Sequence, residues 1–338
     1  MTATNRQVRL ASRPAGPVTP ELFSLTEAPV PEPGPGEVLV RNVYLSVDPY
    51  MRGRMNDAKS YVPPFAVGEV LTGGVVGRVA ASRNPAFREG EWVNGLLGWE
   101  TYSLTSGQGL YKLPDANVPK SWWLGVLGTP GMTAYVGLFE IGRAQAGETV
   151  FISAAAGAVG SVAGQLAKIH GCRVAGCAGS DEKVALLLNE LGFDAAFNYR
   201  TSESLRESLR KVCPGGIDVD FENVGGDLLE AALRHMRPFG RIVLCGMIAQ
   251  YDDTEPRPGP RGLIGMIGKR LTMRGFIVTD HPETCREYVP KALRWLEEGR
   301  LEYRETIAEG IENAPAAFID MLQGNKIGKQ IVRLAAED

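Results

Sequence analysis

Neither cysteine nor histidine occurs before residue 170. The 3 histidines are His170, His235 and His281, and the 5 cysteines are Cys172, Cys177, Cys213, Cys245 and Cys285. A catalytic zinc needs about three Cys, His or carboxylate ligands, and a structural zinc usually four thiolates. The first half of the chain has neither thiolate nor imidazole for such a site, so no metal is expected. The cysteines are odd in number, unclustered and never spaced C-x-x-C, which argues against a disulfide framework and suits a reducing compartment. An uninterrupted run of about 18 apolar residues, the length that spans a bilayer, is also missing. The opening MTATNRQVRLASRP lacks the apolar core of a signal peptide, so a cytoplasmic protein is expected. Charge of one sign is scarce too: 36 Lys and Arg face 39 Asp and Glu, a net charge of −3. That leaves no basic footprint for nucleic acid or an anionic membrane. With 44% apolar and 22% charged residues over 338 positions, the composition is that of a globular chain long enough for two domains.

What is present centres on Thr149 to Gly160, TVFISAAAGAVG. Val150, Phe151 and Ile152 read as a buried strand, and the small residues after them turn into a helix expected to begin near Ser161. A helix start carries unpaired N–H groups and partial positive charge, so a phosphate is stabilised there if nothing bulky blocks it. Gly157 and Gly160 remove the Cβ atoms that would block that approach; Ala155 stands where the pattern G-x-G-x-x-G has its first glycine.

The chain before and after this stretch differs in rhythm. From Val8 to about Leu124, short strand candidates such as Glu37 to Val43, Val75 to Ala80 and Glu91 to Leu97 are separated by Pro and Gly, as in an antiparallel, barrel-like β domain. Leu127 to Ile141 reads as helix after a Pro130–Gly131 turn. Strands and helices then alternate: strand Cys172 to Ala178, a helix with Val184, Leu187, Leu188 and Leu191 on one face, strand Phe193 to Asn198, helix Ser204 to Val212, strand Ile217 to Glu222, helix Leu228 to Met236, strand Arg241 to Cys245 and strand Leu271 to Val278. Six strands in this order suggest a Rossmann sheet. Glu283 to Glu298 is amphipathic, with Val289, Leu293 and Leu296 inward, and a helix from Pro315 to Leu322 precedes a last strand, Lys329 to Leu334, that rejoins the first domain. The expected division is 1–124 plus 305–338 for the β domain and 125–304 for the Rossmann domain.

An NAD-binding unit normally ends its second strand with an acid for the ribose 2′-OH. Here the strand ends Cys177, Ala178, Gly179, Ser180. A 2′-phosphate needs room and positive charge, so Ser180 and Lys183 favour NADP(H), although by spacing alone Lys183 equally suits a solvated helix residue.

The segments SVDPYMRGRM (46–55), LGTPGMTAY (127–135), AAAGAVGSVAGQLAK (154–168), SDEKV (180–184), FNYR (197–200), ENVGG (222–226), CGMIAQY (245–251) and ENAPAAFIDMLQG (312–324) resemble the zinc-independent medium-chain dehydrogenase/reductases, in the prostaglandin reductase and leukotriene B4 12-hydroxydehydrogenase group. The match runs nearly end to end and keeps motif order. It implies a GroES-like antiparallel β-barrel beside the Rossmann doubly wound sheet, a homodimer, and NADPH-dependent reduction of a carbon–carbon double bond conjugated to a carbonyl. By position it implies Gly157, Ala158, Val159 and Gly160 at the pyrophosphate, Ser180, Lys183 and Tyr199 at the adenosine ribose and its 2′-phosphate, and Asn223 at the ribose region. Cys245, Gly246, Phe276, Ile277 and Val278 would line the nicotinamide side. Tyr50 and Tyr251 are the candidate donors to the carbonyl oxygen, where negative charge gathers during hydride transfer. Each could instead be a packing aromatic, and Asn223 a turn former before two glycines. The chain departs from the family in one place: where relatives read G-x-N-φ-G-K, with φ apolar and the asparagine on the cofactor, residues 324–329 put Lys326 in the asparagine's place and Asn325 one earlier, so the resemblance implies that Asn325 reaches the cofactor by a small backbone change or that Lys326 takes over the contact. A quinone reductase on the same scaffold and a non-catalytic NADPH-binding protein are the competing readings.

Overall fold

The structure, a computed structural model, describes residues 4–255 and 258–337. Pro256 and Arg257, in the proline-rich loop after Tyr251, lie outside the described residues. The chain forms two compact units, one of Met1–Leu124, Glu305–Lys326 and Gln330–Asp338, the other of Gly125–Arg304 and Ile327–Lys329.

The first unit opens with a hairpin of β1 (Thr4–Leu10) and β2 (Phe23–Pro29), in which Val8 faces Leu25. The strands β3 (Val38–Ser46), β4 (Thr72–Ser82), β5 (Trp92–Gly98), β6 (Tyr102–Thr105) and β7 (Tyr111–Lys112) follow, with the short helix α1 (Tyr50–Arg54) after β3. Alternation places Val38 and Val40 fully inside, and register shifts after Leu39 and Asn42 then re-aim β3 so that its second half is also buried.

In the second unit, α2 (Thr129–Tyr135) runs into a π-helical stretch, Val136–Ile141. Pro130 and Gly131 do not make a turn. Pro130 sits in the first turn of α2, where a missing N–H is lost at no cost. The elements β8 (Thr149–Ile152), α3 (Ala158–Ile169), β9 (Arg173–Ala178), α4 (Asp181–Asn189), β10 (Ala195–Asn198), α5 (Leu205–Val212), β11 (Ile217–Glu222), α6 (Gly226–His235), β12 (Met236–Leu244), α7 (Ile264–Lys269), β13 (Thr272–Gly275) and α8 (Pro282–Glu297) complete the unit. The sheet runs β10-β9-β8-β11-β12-β13 and its pairs are parallel, the doubly wound order whose direction reverses between β8 and β11. Ligands of such sheets bind beyond the carboxyl ends of the strands at that reversal, here past Ile152 and Glu222.

Several local expectations are corrected. Helix α3 begins at Ala158 rather than near Ser161. On α4 it is Leu186 and Leu187 that are buried, whereas Leu188 is 40% exposed. The buried residues of α8 are Tyr288 and Ala292; Val289, Leu293 and Leu296 are only half-buried. Strand β13 stops at Gly275, leaving Phe276 to Val278 in the segment after it.

Beyond α8 the chain adds β14 (Glu305–Glu309), α9 (Ala314–Leu322) and β15 (Lys329–Arg333). Ile331 faces Ser46 and Val332 faces Leu45, so the last strand does rejoin the first unit, in a sheet ordered β14-β15-β3-β4-β5-β7 with β6 also on β3. Phe318 of α9 stands edge-on to Trp99, ring centroids 5.9 Å apart, and with Phe23 closes that unit's core.

Candidate nucleotide site and donor tyrosines

The turn after β8 is built from small residues under tension. Ala154 has φ +48°, a left-handed conformation that costs a residue with a Cβ about 1–2 kcal/mol. Its carbonyl accepts the Gly157 N–H at 3.0 Å, and Gly157 becomes the N-cap of α3. No side chain caps this helix, whereas Ser180 caps α4 and Ser204 caps α5. The N–H groups at Ala158, Val159 and Gly160 therefore open toward the reversal point of the sheet. At Gly160 a Cβ would meet the Ala154 carbonyl oxygen at 2.6 Å, so this glycine serves helix-to-strand packing. Gly328, far along the chain, lies beside Gly157 as an isolated bridge and donates its N–H to the Ala156 carbonyl at 2.9 Å. Its φ is +66°, and a Cβ there would strike the Arg304 carbonyl oxygen at 2.0 Å. A bare, uncapped helix start flanked by two glycines fits a dinucleotide pyrophosphate.

At the neighbouring strand tip, Ser180 caps α4 by accepting the Lys183 N–H at 3.3 Å. Tyr199 and Arg200 fold back over Gly179: a Cβ on that glycine would lie 3.0 Å from the Tyr199 hydroxyl and 3.3 Å from Arg200 Nε. Burial, and then the nearby Arg200 cation, hold the Lys183 ammonium below the usual lysine range. Two cations brought within influence of each other at a half-buried place repel, and an anion between them relieves the repulsion. Ser180, Lys183 and Tyr199 are thus brought together, and Arg200 joins them; it stood in the FNYR segment without a sequence signal beyond its neighbour.

Past β11 the chain turns at Asn223. Its backbone N–H donates to Ser153 Oγ at 2.7 Å and its side-chain amide to the Ser153 carbonyl at 2.8 Å, tying the tips of β8 and β11 together. The Cys245 and Gly246 N–H groups both reach the Glu222 carbonyl, at 2.9 and 3.1 Å. Burial pushes the Cys245 thiol up to about 12, so it remains a neutral thiol. The loop then folds so that Tyr251 is largely buried, which raises the phenol's pKa, while the nearby Met247 backbone pulls the other way. A Cβ on Gly246 would stand 3.3 Å from the phenol oxygen. Raised in this way, the phenol stays protonated near neutral pH and can donate. Phe276, Ile277 and Val278 are half-buried after β13. Phe276 fits against Gly137 of the π-helical stretch, where a Cβ would lie 2.9 Å from the ring. His281 Nδ1 and Thr284 Oγ1, each 2.6 Å from the Glu140 carboxylate, fasten the following residues.

In the other unit, Tyr50 opens α1 and is packed against the core. Burial and then the Asp48 carboxylate raise its pKa, while the charge of the nearby Arg54 guanidinium pulls the other way. Arg54 is itself held, with Nε 3.0 Å from the Pro63 carbonyl, Nη1 2.9 Å from Thr72 Oγ1 and its guanidinium 3.9 Å from the Phe65 ring centroid. Asn325 is exposed and donates to Gln323 at 3.1 Å, and Lys326 pairs with Asp320 at 3.2 Å.

Residues 6–113 match a family described as the N-terminal domain of oxidoreductase, and residues 158–298 one described as zinc-binding dehydrogenase. The chain is 45% identical over 339 residues to the NADPH-dependent curcumin reductase of Escherichia coli strain K12, covering 99% of this chain and 98% of that protein. The chain belongs to the medium-chain dehydrogenase/reductase family. Within that family it is also 46% identical over 320 residues to prostaglandin reductase 1 of Sus scrofa, covering 93% and 94% of the two chains. The crystal structure of CurA in complex with NADPH from Vibrio vulnificus has a TM-score of 0.93 at 44% identity, covering 98% of this chain and 99% of that one. The first unit of this medium-chain reductase is accordingly GroES-like and the second a Rossmann domain. Among the described residues, no group of three or more His, Cys, Asp or Glu is placed to hold a metal ion, and no helix is long and apolar enough to cross a membrane.

Proposed function

We propose that this chain is an NADPH-dependent reductase of the carbon–carbon double bond of α,β-unsaturated ketones and aldehydes. The observation that carries the reading is the presence, in one Rossmann unit, of a strand tip that gathers the Lys183 and Arg200 cations beside Ser180 and Tyr199, and of a buried phenol, Tyr251, close to Gly246. Bound NADPH supplies the hydride that the β-carbon of the enone receives. Gly157, Ala158, Val159 and Gly160 hold the pyrophosphate, and Lys183 and Tyr199 hold the 2′-phosphate. Asn223, Cys245 and Gly246 border the ribose and nicotinamide, with Phe276 to Val278 as an apolar wall. Negative charge gathers on the carbonyl oxygen as the hydride arrives, Tyr251 is proposed to donate a hydrogen bond to it, and the α-carbon then takes a proton from water.

Loss of NADPH absorbance on adding curcumin or 1-octen-3-one tests the reading. Protein that binds NADPH but turns over neither these nor other enones would overturn it. We further propose a cytoplasmic homodimer formed along β13, an edge strand of the parallel sheet, beside which Ile264 and Ile267 are 80% and 75% exposed. Ile267→Lys should then yield monomers in sedimentation, and an unchanged mass would discount that edge.

A further inference from the structure

Glu222, the last residue of β11, is fully buried, and no role above uses its carboxylate. Its Oε1 accepts three hydrogen bonds: from Ser153 Oγ at 2.6 Å, from the Val224 N–H at 2.5 Å and from the Gly225 N–H at 3.0 Å. The Ser153 oxygen in turn accepts the Asn223 N–H at 2.7 Å. The turn from Asn223 to Gly226 needs such a clamp, because it passes through two successive left-handed glycines, Gly225 at φ +77° and Gly226 at φ +57°. Glycines adopt these angles freely and many others as well, so they permit the turn without fixing it.

The clamped turn supports the next segment. Its carbonyls accept the N–H groups of Cys245 and Gly246 at Glu222, of Ile248 at Asn223 (3.2 Å) and of Ala249 at Val224 (3.0 Å). Tyr251 ends that segment, its own N–H on the Ile248 carbonyl at 3.3 Å. From Glu222 to Tyr251 the connection thus runs through backbone hydrogen bonds and the Ser153 hydroxyl, with no long flexible side chain in between. A carboxylate accepting several N–H and O–H donors away from water makes shorter and stronger bonds than a neutral acceptor would.

We propose that Glu222, acting with Ser153, is a positioning residue for the reductase reaction: its carboxylate fixes the Asn223–Gly225 turn and, through that turn, the places of Asn223 and Tyr251. The proposal rests on the reading given under Proposed function.

The test uses the full chain and three variants, Ser153→Ala, Glu222→Ala and Glu222→Gln. Two quantities are measured: enone turnover at saturating NADPH, and amide hydrogen exchange of peptides covering 245–251, with peptides covering β9 as control. Ser153→Ala and Glu222→Ala should each lower kcat by about tenfold or more, since a donor displaced from a developing oxyanion costs on that scale. The amides of 245–249 should exchange about tenfold faster, because exchange reports local opening, while β9 is unchanged. Glu222→Gln keeps an acceptor at the Oε1 position and should recover most of both. Wild-type kcat and exchange in Ser153→Ala would overturn the proposal, as would faster exchange spread evenly over the sheet. So would a Glu222→Gln variant with restored exchange and no recovery of kcat. Should Glu222→Ala fail to fold, Ser153→Ala carries the test. A wild-type protein without enone turnover would overturn the functional reading instead, and the exchange measurements would still decide the clamp.

Discussion

Ala155 occupies space that Gly176, on the neighbouring strand β9, leaves open: a Cβ on Gly176 would lie 2.7 Å from the Ala155 Cβ. The missing first glycine of the phosphate turn is thereby matched by a glycine elsewhere. Gly176→Ala should destabilise the protein by about 1–3 kcal/mol, the usual scale of overpacking a closed core. Ala155→Gly alone should cost about 1 kcal/mol, from lost burial and added chain freedom. In the double variant part of the first loss should return, read as a shift in the denaturant midpoint. Strict additivity would mean that the two sites do not share this space.

Lys183 and Arg200 stand together at the strand tip where the adenosine 2′-phosphate is proposed to bind. A charge-assisted hydrogen bond to phosphate contributes about 1.5–3 kcal/mol, so Lys183→Ala should raise KM for NADPH by about ten- to a hundredfold while KM for NADH hardly changes. Arg200→Ala should move the same ratio in the same direction. Equal effects on the two nucleotides would remove both residues from 2′-phosphate recognition.

Tyr251→Phe deletes one donor and keeps the ring. If that donor faces the enone oxygen, kcat should fall by about a hundredfold, with KM for NADPH and the melting temperature close to wild type. Kinetics indistinguishable from wild type would reduce Tyr251 to a packing residue.

Asp220 is fully buried, with neither carboxyl oxygen given a donor among the described residues. Burial, and then the charge of Glu222 on the same strand, raise its pKa well above the usual carboxylate range. The donors around Glu222 leave the negative charge there, so Asp220 is the partner that keeps a proton. A folded-state pKa above the unfolded value of about 3.9 means that the folded protein holds a proton the unfolded chain releases. The associated stability is complete below about pH 4 and is lost as pH rises toward the folded value. Asp220→Asn removes that titration, so unfolding midpoints measured at pH 5 and pH 8 should differ less in the variant than in wild type. Parallel pH dependence in the two proteins would show that Asp220 is ionised in the fold.

The sequence revealed most where the physics is local. The apolar run Val150 to Ile152 and the alternating apolar residues Ile217, Val219 and Phe221 marked strands, and their alternation with helices suggested a parallel sheet. The return of β15 was legible because its apolar run stood apart from the helices before it. Helix faces were less legible: Leu188 has the same character as Leu187 but lies on the solvent side, and only the packing of α4 separates them. The site was legible to the extent that single residues carry charge or lack a side chain, as Lys183, Gly157 and Gly160 do. The parts played by Ser153, Glu222 and Gly328 were not legible, although Glu222 is charged and Gly328 lacks a side chain, because each works through partners distant in sequence; the Ser153–Glu222 bond joins residues separated by 69 positions.

Gly328 ties the proposed phosphate turn to a part of the chain made late. Every strand of the parallel sheet lies at or before Gly275, yet the flank of the phosphate turn is completed only when Gly328 docks on Ala156 and Gly157. A growing chain on the ribosome would therefore hold all six parallel strands while its nucleotide cradle is still open on one side. If the proposed phosphate turn needs that flank, tight capture of the coenzyme waits until the chain is translated past Gly328.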